Sequence, residues 1–318
     1  MGKRLILFLG LLLGYASLAW AQQDPEFTQF MFNKVYYNPA YAGVEGVTRF
    51  NLLARSKWTG YATTFDGAGG APNTQVLTVS SPLYKLRSGF AAYVMNDNLG
   101  NLNNLAIQGA YAYHLAVKEA KLSVGVNLGF FSQSIDFSKY RPADINDPLL
   151  KTGKDTQVRF DMGAGVFYQA RKFYVSASVN HLLSPSFNFG IENLRNAIQP
   201  VMYVMGGYFY DVSYNLTITP SLLVQSDFKK ALINIGAIAE LNEKFWGGLS
   251  YKYQESVAVI LGMSLLKSKA LEVGYGFDYI VHQQDAKQPT SHEIRLGYVL
   301  PVSSFGGRKV IRTPRFRH

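Results

Sequence analysis

Apolar and polar residues alternate with a period of two along most of the chain after its first few dozen positions. In the stretch 104–116, Ile107 and Tyr111 share one face, while Gln108 and Ala112 share the other. Because successive side chains of a β-strand point to opposite faces, this alternation predicts strands rather than helices. Stretches 121–133 and 158–169 repeat the pattern.

The alternating stretches are long, at roughly 10–13 residues, whereas strands of soluble proteins average about 5–6 residues. A tilted strand needs about 9–11 residues to cross a membrane. The polar face is rich in Gly, Ser and Ala and also carries charges, at Arg159, Asp161, Lys252, Glu272 and Asp278. A face of this kind favours a crowded, wet barrel lumen over the apolar interior of a soluble sandwich.

Fourteen such stretches can be counted. They span residues 46–56, 74–81, 88–96, 104–116, 121–133, 157–170, 172–181, 200–212, 215–226, 230–240, 244–254, 256–267, 270–281 and 291–300. The fold prediction is therefore all-β: a transmembrane outer-membrane β-barrel of about 14 antiparallel strands. An even strand number leads us to expect both termini in the periplasm.

The connections between these stretches differ in length. The long ones fall near 57–73, 134–156, 182–199 and 282–290, and the short ones at 117–120, 170–171, 212–214, 241–243 and 267–269. Outer-membrane barrels have short periplasmic turns and longer extracellular loops. We therefore predict that 57–73, 134–156 and 182–199 are extracellular and that 267–269 is periplasmic.

Aromatic residues concentrate near the predicted strand ends, where interfacial girdles of a barrel are expected. They are Tyr111, Tyr113, Phe130, Phe131, Phe245, Trp246, Tyr251 and Tyr253.

The first 21 residues have the pattern of a secretory signal peptide. Lys3 and Arg4 precede the apolar run 5–13, and Ala19-Trp20-Ala21 supplies the small residues that signal peptidase reads. The alternative, a membrane anchor, would need a longer apolar run. The predicted organisation is a signal peptide at 1–21, a periplasmic or plug segment at 22–45, a transmembrane barrel at 46–300 and a basic tail at 301–318.

Composition agrees with this class of protein. Hydrophobic residues make up 48% of the chain and charged residues only 16%, against about 25% in soluble domains. The chain has no Cys, which excludes disulfides, thiol nucleophiles and Cys-ligated zinc. The net charge is +10. Export argues against nucleic acid as the partner of this charge and favours acidic glycolipids such as lipopolysaccharide, or acidic protein surfaces.

No pattern of catalytic or metal-ligating residues stands out. The histidines are scattered over different segments, at positions 114, 181, 282, 292 and 318, and His292-Glu293 lacks the second His of a zinc-protease motif. An enzyme site at the extracellular rim remains an alternative, with Asp97, Asp144, Asp147 and His181 as its candidates. We expect no enzyme, no cofactor and no metal.

The segment 23–43 stands apart from the alternating pattern because it is dense in aromatic residues and contains Pro25 and Pro39. Exposing so much aromatic surface would invite association, so the segment should pack against the barrel mouth or a partner. The alternative is a packed N-terminal plug that has no partner.

This opening run, from Gln23 to Gly43, resembles the start of the PorP/SprF family of the type IX secretion system of the Bacteroidota. Further resemblance lies in the Arg-x-x-Trp-x-Gly pattern from Arg55 to Gly60, in 89–100 and in 291–296. The resemblance implies a non-enzymatic outer-membrane protein that associates with a periplasmic ring lipoprotein and with an OmpA-like peptidoglycan-binding protein. It also implies a role in the secretion or surface attachment of adhesins that carry a C-terminal sorting domain, including those used in gliding motility.

A partner-binding face is predicted from both ends of the mature chain, since aromatic residues supply apolar anchors and basic residues attract acidic surfaces. Its candidates are Asp24, Pro25, Phe27, Phe30, Phe32, Tyr36, Tyr37, Asn38, Pro39, Trp58, Arg308, Lys309, Arg312, Arg315 and Arg317. A merely solvated tail is the alternative for the last five. The competing function for the whole chain is a general diffusion porin or substrate channel.

Overall fold

The computed structural model describes residues 24–61, 70–139, 152–189, 196–266, 269–282 and 288–300. They form an antiparallel barrel whose strands have the following bounds. The strands are β1 Arg49–Ser56, β2 Asn73–Leu83, β3 Ser88–Leu99, β4 Leu102–Val117, β5 Ala120–Asp136, β6 Lys154–Gln169, β7 Phe173–Asn180, β8 Ser186–Phe187, β9 Asn196–Ala197, β10 Val201–Tyr208, β11 Tyr210–Ser213, β12 Leu216–Ser226, β13 Ala231–Leu241, β14 Phe245–Lys252, β15 Ser256–Leu265, β16 Leu271–Ile280 and β17 Thr290–Val299.

The strand pairing closes the barrel. Strands neighbouring in sequence pair with each other, and β1 pairs along its whole length with β17. Strands β10 and β11 are separated by Phe209 and both pair with β12, so they share one position in the wall. The two-residue strands β8 and β9 form a separate pair. The wall therefore has 14 strand positions, which confirms the predicted fold.

The two faces of the wall are those that the alternation predicted. Ile107 and Tyr111 point outward and are exposed, whereas Gln108 and Ala112 point inward and are buried. Two of the predicted girdle residues, Phe131 and Trp246, are corrected: both face the lumen and are buried. Each follows an outward aromatic neighbour in the same strand, so the alternation itself turns it inward.

The barrel has two different rims. The turn rim carries the short connections, such as Lys118–Glu119 between β4 and β5, and the loop rim carries 57–72, 137–153, 181–200 and 281–289. Three connections at the loop rim are also short, at 100–101, 227–230 and 253–255. Strands β5 and β6 continue beyond their predicted ends, to Asp136 and from Lys154, and so convert part of the predicted connection 134–156 into strand.

The described helical structure is confined to short turns. Residues Phe30–Phe32 and Pro39–Tyr41 form 3₁₀ turns, and Lys34–Tyr37 forms one α-helical turn between them. Further 3₁₀ turns lie at Tyr84–Leu86 and Phe137–Lys139. Within the described ranges, no helix is long and apolar enough to cross a membrane.

Candidate functional site

The lumen of the barrel is occupied by residues 24–47, here called the plug. The plug contacts strands on opposite sides of the wall: the Thr28 N–H donates to Glu293 of β17 at 2.8 Å, and the Asn38 side chain donates to the Val166 carbonyl of β6 at 2.9 Å. The Gly43 N–H donates to Ser80 of β2 at 2.8 Å. A segment bonded to strands this far apart around a closed barrel must lie inside it.

Aromatic side chains form the centre of the plug and continue into the wall. Phe27 packs edge-on against Tyr36, with ring centroids 5.4 Å apart. Tyr36 in turn meets Tyr93 of β3 at 5.4 Å, and Tyr37 meets Tyr203 of β10 at 5.3 Å. All five side chains are buried. Edge-to-face pairs contribute about 0.5–1.5 kcal/mol beyond the burial of their area, so this cluster binds the plug to two sides of the wall.

Glycines on the lumen face let the plug backbone touch the wall. A Cβ at Gly89 would lie 2.6 Å from the Gly43 Cα, and one at Gly125 would lie 2.6 Å from the Ala40 Cα. A Cβ at Gly274 would lie 2.5 Å from the side-chain oxygen of Gln29. Real Cβ atoms do not approach backbone this closely, so Gly89 and Gly125 admit only glycine while the plug is seated, whereas at Gly274 the Gln29 side chain would have to shift.

A buried charged cluster holds the plug near the loop rim. Arg55 forms ion pairs with Asp278 and, at 3.0 Å, with Glu293. Glu293 also accepts hydrogen bonds from two consecutive plug N–H groups, Thr28 and Gln29, each at 2.8 Å. A buried carboxylate is stable here because it has both a guanidinium partner and hydrogen-bond donors.

A second set of buried ionisable groups anchors Asp24, the first described residue. His181 lies between two carboxylates, with Nε2 3.0 Å from Asp24 and Nδ1 2.7 Å from Asp161, and the Tyr203 hydroxyl donates to the other Asp24 oxygen. Burial opposes the charged form of His181, but Asp24 and Asp161 outweigh it and raise its pKa to about 10. Burial likewise opposes ionisation of Asp24, yet His181 and the hydrogen bonds lower the pKa of its carboxyl. Both groups are therefore charged near neutral pH.

The other end of the plug is anchored at the turn rim. Arg49 bridges Glu45 of the plug at 2.5 Å and Glu272 of β16 at 2.8 Å, and Arg295 pairs with the same Glu272. Arg295 also lies over the Phe32 ring, 4.3 Å from its centroid. Charged groups thus fix both ends of the plug, and the aromatic cluster fixes its middle.

The structure shows where most of the predicted partner-binding residues lie. The side chains of Phe27, Phe30, Tyr36, Tyr37, Asp24, Asn38 and Pro39 are buried, and those of Pro25, Phe32 and Trp58 are half-buried. The N-terminal candidates other than Trp58 lie inside the lumen and form no outward face in this arrangement. Trp58 lies at the loop rim, where its backbone N–H donates to the Ser291 hydroxyl at 3.0 Å. The tail residues Arg308, Lys309, Arg312, Arg315 and Arg317 lie outside the described residues, as does 1–23.

The two ends of the plug lie near opposite rims. Asp24 contacts His181, which directly follows β7 at the loop rim, whereas Glu45 contacts Arg49 at the start of β1 on the turn rim. An even strand number puts the start of β1 and the end of β17 on the same side. The even strand number does not place Asp24 at the turn rim, because the plug runs through the lumen from the loop rim to the start of β1.

The alternative enzyme candidates are not assembled into one site. Asp97 accepts a hydrogen bond from Thr74 at 2.6 Å, while His181 belongs to the Asp24 anchor. Asp144 and Asp147 lie outside the described residues. Among the residues that the structure describes, no group of His, Asp and Glu could hold a metal ion.

Comparisons with known proteins agree on the fold. No curated protein matches the sequence. The TodX deltaS2S3 mutant monoaromatic hydrocarbon channel is 10% identical, with 83% of this chain and 93% of that chain covered and a TM-score of 0.50. A Pseudomonas aeruginosa FadL homologue is 11% identical, with 86% and 94% covered and a TM-score of 0.43. At 10% identity, the likeness to the TodX channel concerns the fold alone.

The sequence itself gives a more specific match. A family described as the type IX secretion system membrane protein PorP/SprF matches residues 19–298. The match includes the whole described plug and nearly all of the barrel. Because it covers far more than half of the chain, this protein belongs to the PorP/SprF family of type IX secretion system membrane proteins.

Proposed function

We propose that this protein is a closed, non-enzymatic outer-membrane component of the type IX secretion system. It anchors periplasmic machinery, here taken to be a ring lipoprotein and an OmpA-like peptidoglycan-binding protein. It thereby supports the secretion or surface attachment of adhesins through their C-terminal domains. Family membership supports the secretion role. The observation that carries the closed state is the plug, whose buried contacts reach opposite sides of the lumen.

The plug also changes where a partner would dock. The aromatic side chains of the plug bind the wall, so they serve the partner indirectly by keeping the barrel shut and rigid. We propose that docking uses the basic tail, which contains Arg308, Lys309, Arg312, Arg315 and Arg317 and follows β17 at the turn rim. An acidic partner surface would gain steering and modest affinity from these charges, both of which weaken with added salt.

Two experiments test this proposal, one on the closed lumen and one on the basic tail. Purified wild-type protein in a planar bilayer should give no steady current, and a strain lacking the protein should lose secretion or attachment of its adhesin cargo. Replacing Arg308, Arg312 and Arg315 by Glu should leave a heat-modifiable barrel but abolish co-purification of periplasmic components. Large steady currents from the wild type would favour the diffusion porin instead. Unchanged co-purification by the tail variant would show that the machinery docks elsewhere.

A further inference from the structure

The outer face of strands β2 to β6 changes from apolar to polar towards the loop rim. In one row, five outward side chains lie directly opposite each other from strand to strand, and each exposes at least 40% of its surface. This row is Leu77, Val94, Ile107, Phe130 and Phe160. Side chains of this size and exposure on the outside of a membrane barrel face lipid hydrocarbon.

Four residues further towards the loop rim, the same five strands present a row without apolar side chains. Its members are again in direct register: Asn73, Asn98, Asn103, Ser134 and Thr156. Ser134 is buried between its neighbours, and the other four are half-buried or exposed. The Asn103 amide donates to Asn98 at 2.5 Å, and the Ser134 and Thr156 hydroxyls are 2.9 Å apart. Unsatisfied amides and hydroxyls are costly in hydrocarbon, so this polar row marks the level where lipid headgroups begin.

The row between these two is mixed: it contains Gln75, Asn96 and Ser132 together with Leu105 and Val158. Asn96 donates to Gln75 at 3.0 Å and accepts from Asn103 at 2.9 Å. These side chains still have free hydrogen-bonding capacity, since an amide offers two donors and two acceptor lone pairs. Groups of this chemistry are suited to the hydroxyls of sugars.

A pocket of about 210 Å³ opens directly above the polar row. Its lining includes Asn98 and Asn103 of the row, together with Asp136, Lys139 and Lys154. The lining thus contains two lysines and one carboxylate, and that carboxylate already accepts from the Ser138 N–H at 3.2 Å. The pocket therefore has cationic donors available for an anion, next to amides that suit sugars and above a surface that suits acyl chains.

We propose that this outer face of β2–β6 binds a phosphorylated glycolipid of the outer leaflet. The acyl chains lie on the apolar row, the sugar contacts the polar row, and Lys139 and Lys154 bind the sugar phosphate. A phospholipid would satisfy the lysines but would leave the amide row without hydroxyl partners. The site goes beyond the proposed secretion role and depends only on the loop rim facing outward.

The experiment measures lipid binding by native mass spectrometry, using diphosphoryl lipid A and phosphatidylglycerol as the two probes. Wild-type protein should bind lipid A at least about ten-fold more tightly than phosphatidylglycerol. A Lys139→Ala/Lys154→Ala variant should lose about ten-fold in lipid A affinity, because two charge contacts are removed from an exposed site. A Lys139→Arg/Lys154→Arg variant should keep most of the affinity.

Two further variants test whether lipid A binding depends on this site rather than on the net charge of the protein or on the phosphate group alone. Lys229→Ala/Lys230→Ala removes the same charge from an exposed turn between β12 and β13 and should leave affinity within about two-fold of the wild type. Asn98→Leu/Asn103→Leu keeps every charge and should weaken lipid A binding but not phosphatidylglycerol binding. Heat-modifiable migration checks insertion of each variant. Equal affinity for both lipids, or equal losses in the pocket and control variants, would overturn the proposal.

Discussion

At the scale of single residues, two lumen-facing glycines are explained by their contacts with the plug. A wall that enclosed only water would tolerate a methyl group at these positions. Here Gly89 and Gly125 meet plug backbone, at distances that leave no room for a Cβ. The sequence shows that these residues are small and suggests that each lies beside a bulky neighbour. It does not show that the neighbour is the plug, because the plug residues lie far away in the sequence.

The glycine contacts give a matched pair of substitutions. We expect Gly89→Ala to loosen the plug and to lower the temperature at which the barrel loses its folded gel migration, because its Cβ would collide with the Gly43 Cα at 2.6 Å. Gly109→Ala is the control in the neighbouring strand, since no atom lies nearer than 3.9 Å to its added Cβ. Equal behaviour of the two variants would show that the plug is not seated against β3.

The Asp24 anchor should give stability a defined pH dependence. Because the pKa of His181 is raised from 6.5 to about 10, its stabilisation is fully present below pH 6.5 and is lost as pH rises through about 10. The carboxyl of Asp24, with its pKa lowered from 3.8, contributes above that value and loses its contribution as pH falls below it. We therefore expect the difference in unfolding temperature between wild type and His181→Gln to be largest near pH 6 and to close above pH 10. A difference that stays constant with pH would contradict the ion-pair account.

At the scale of elements, sequence predicted the strands far better than the plug. Period-two alternation fixes which face of a strand is buried, so the number of wall positions and the outward row from Leu77 to Phe160 follow from local pattern. The extensions of β5 to Asp136 and of β6 from Lys154 were not predicted, because these residues are mostly polar and the alternation of apolar and polar positions disappears there. The position of the plug depends on contacts such as Thr28 to Glu293, which are 265 residues apart. No local pattern encodes a contact of that kind.

The aromatic centre of the plug supplies a test of this element. Replacing Phe27, Phe30 and Tyr37 by Ala should leave an inserted barrel but release the plug, because each buried aromatic removed costs about 3–5 kcal/mol. The expected readout is intermittent single-channel current and faster proteolysis near residue 30. Phe130→Ala removes a similar ring from the lipid-facing surface and serves as the control that should stay closed. If the triple variant remains silent and protease-resistant, the charged anchors alone hold the plug.

At the scale of the whole molecule, the rims must be assigned to the two sides of the membrane. The long connections lead us to predict that the loop rim faces the exterior and the turn rim the periplasm. The chain has no Cys, so single cysteines can be introduced without background: Thr59→Cys at the loop rim and Glu119→Cys at the turn rim. A membrane-impermeant maleimide added to intact cells should label the first and not the second. The reverse pattern would invert the barrel and would also remove the basis of the glycolipid site.

Removing the plug tests whether the proposed role in secretion requires a closed barrel. Deleting residues 24–45 should leave the hydrogen-bonded closure between β1 and β17 intact, since every residue of that pairing lies at or beyond Arg49. The emptied lumen would expose the buried charges of Arg55, Asp278 and Glu293 to water, which solvates them, so we expect an inserted barrel that conducts ions steadily. Secretion of cargo should then be measured in cells that carry the deletion, with the Gly109→Ala variant as the closed control. Loss of secretion together with a gain of current would show that the rigid, plugged state is the functional one. Full secretion through a conducting barrel would instead assign the plug a role in sealing the membrane alone.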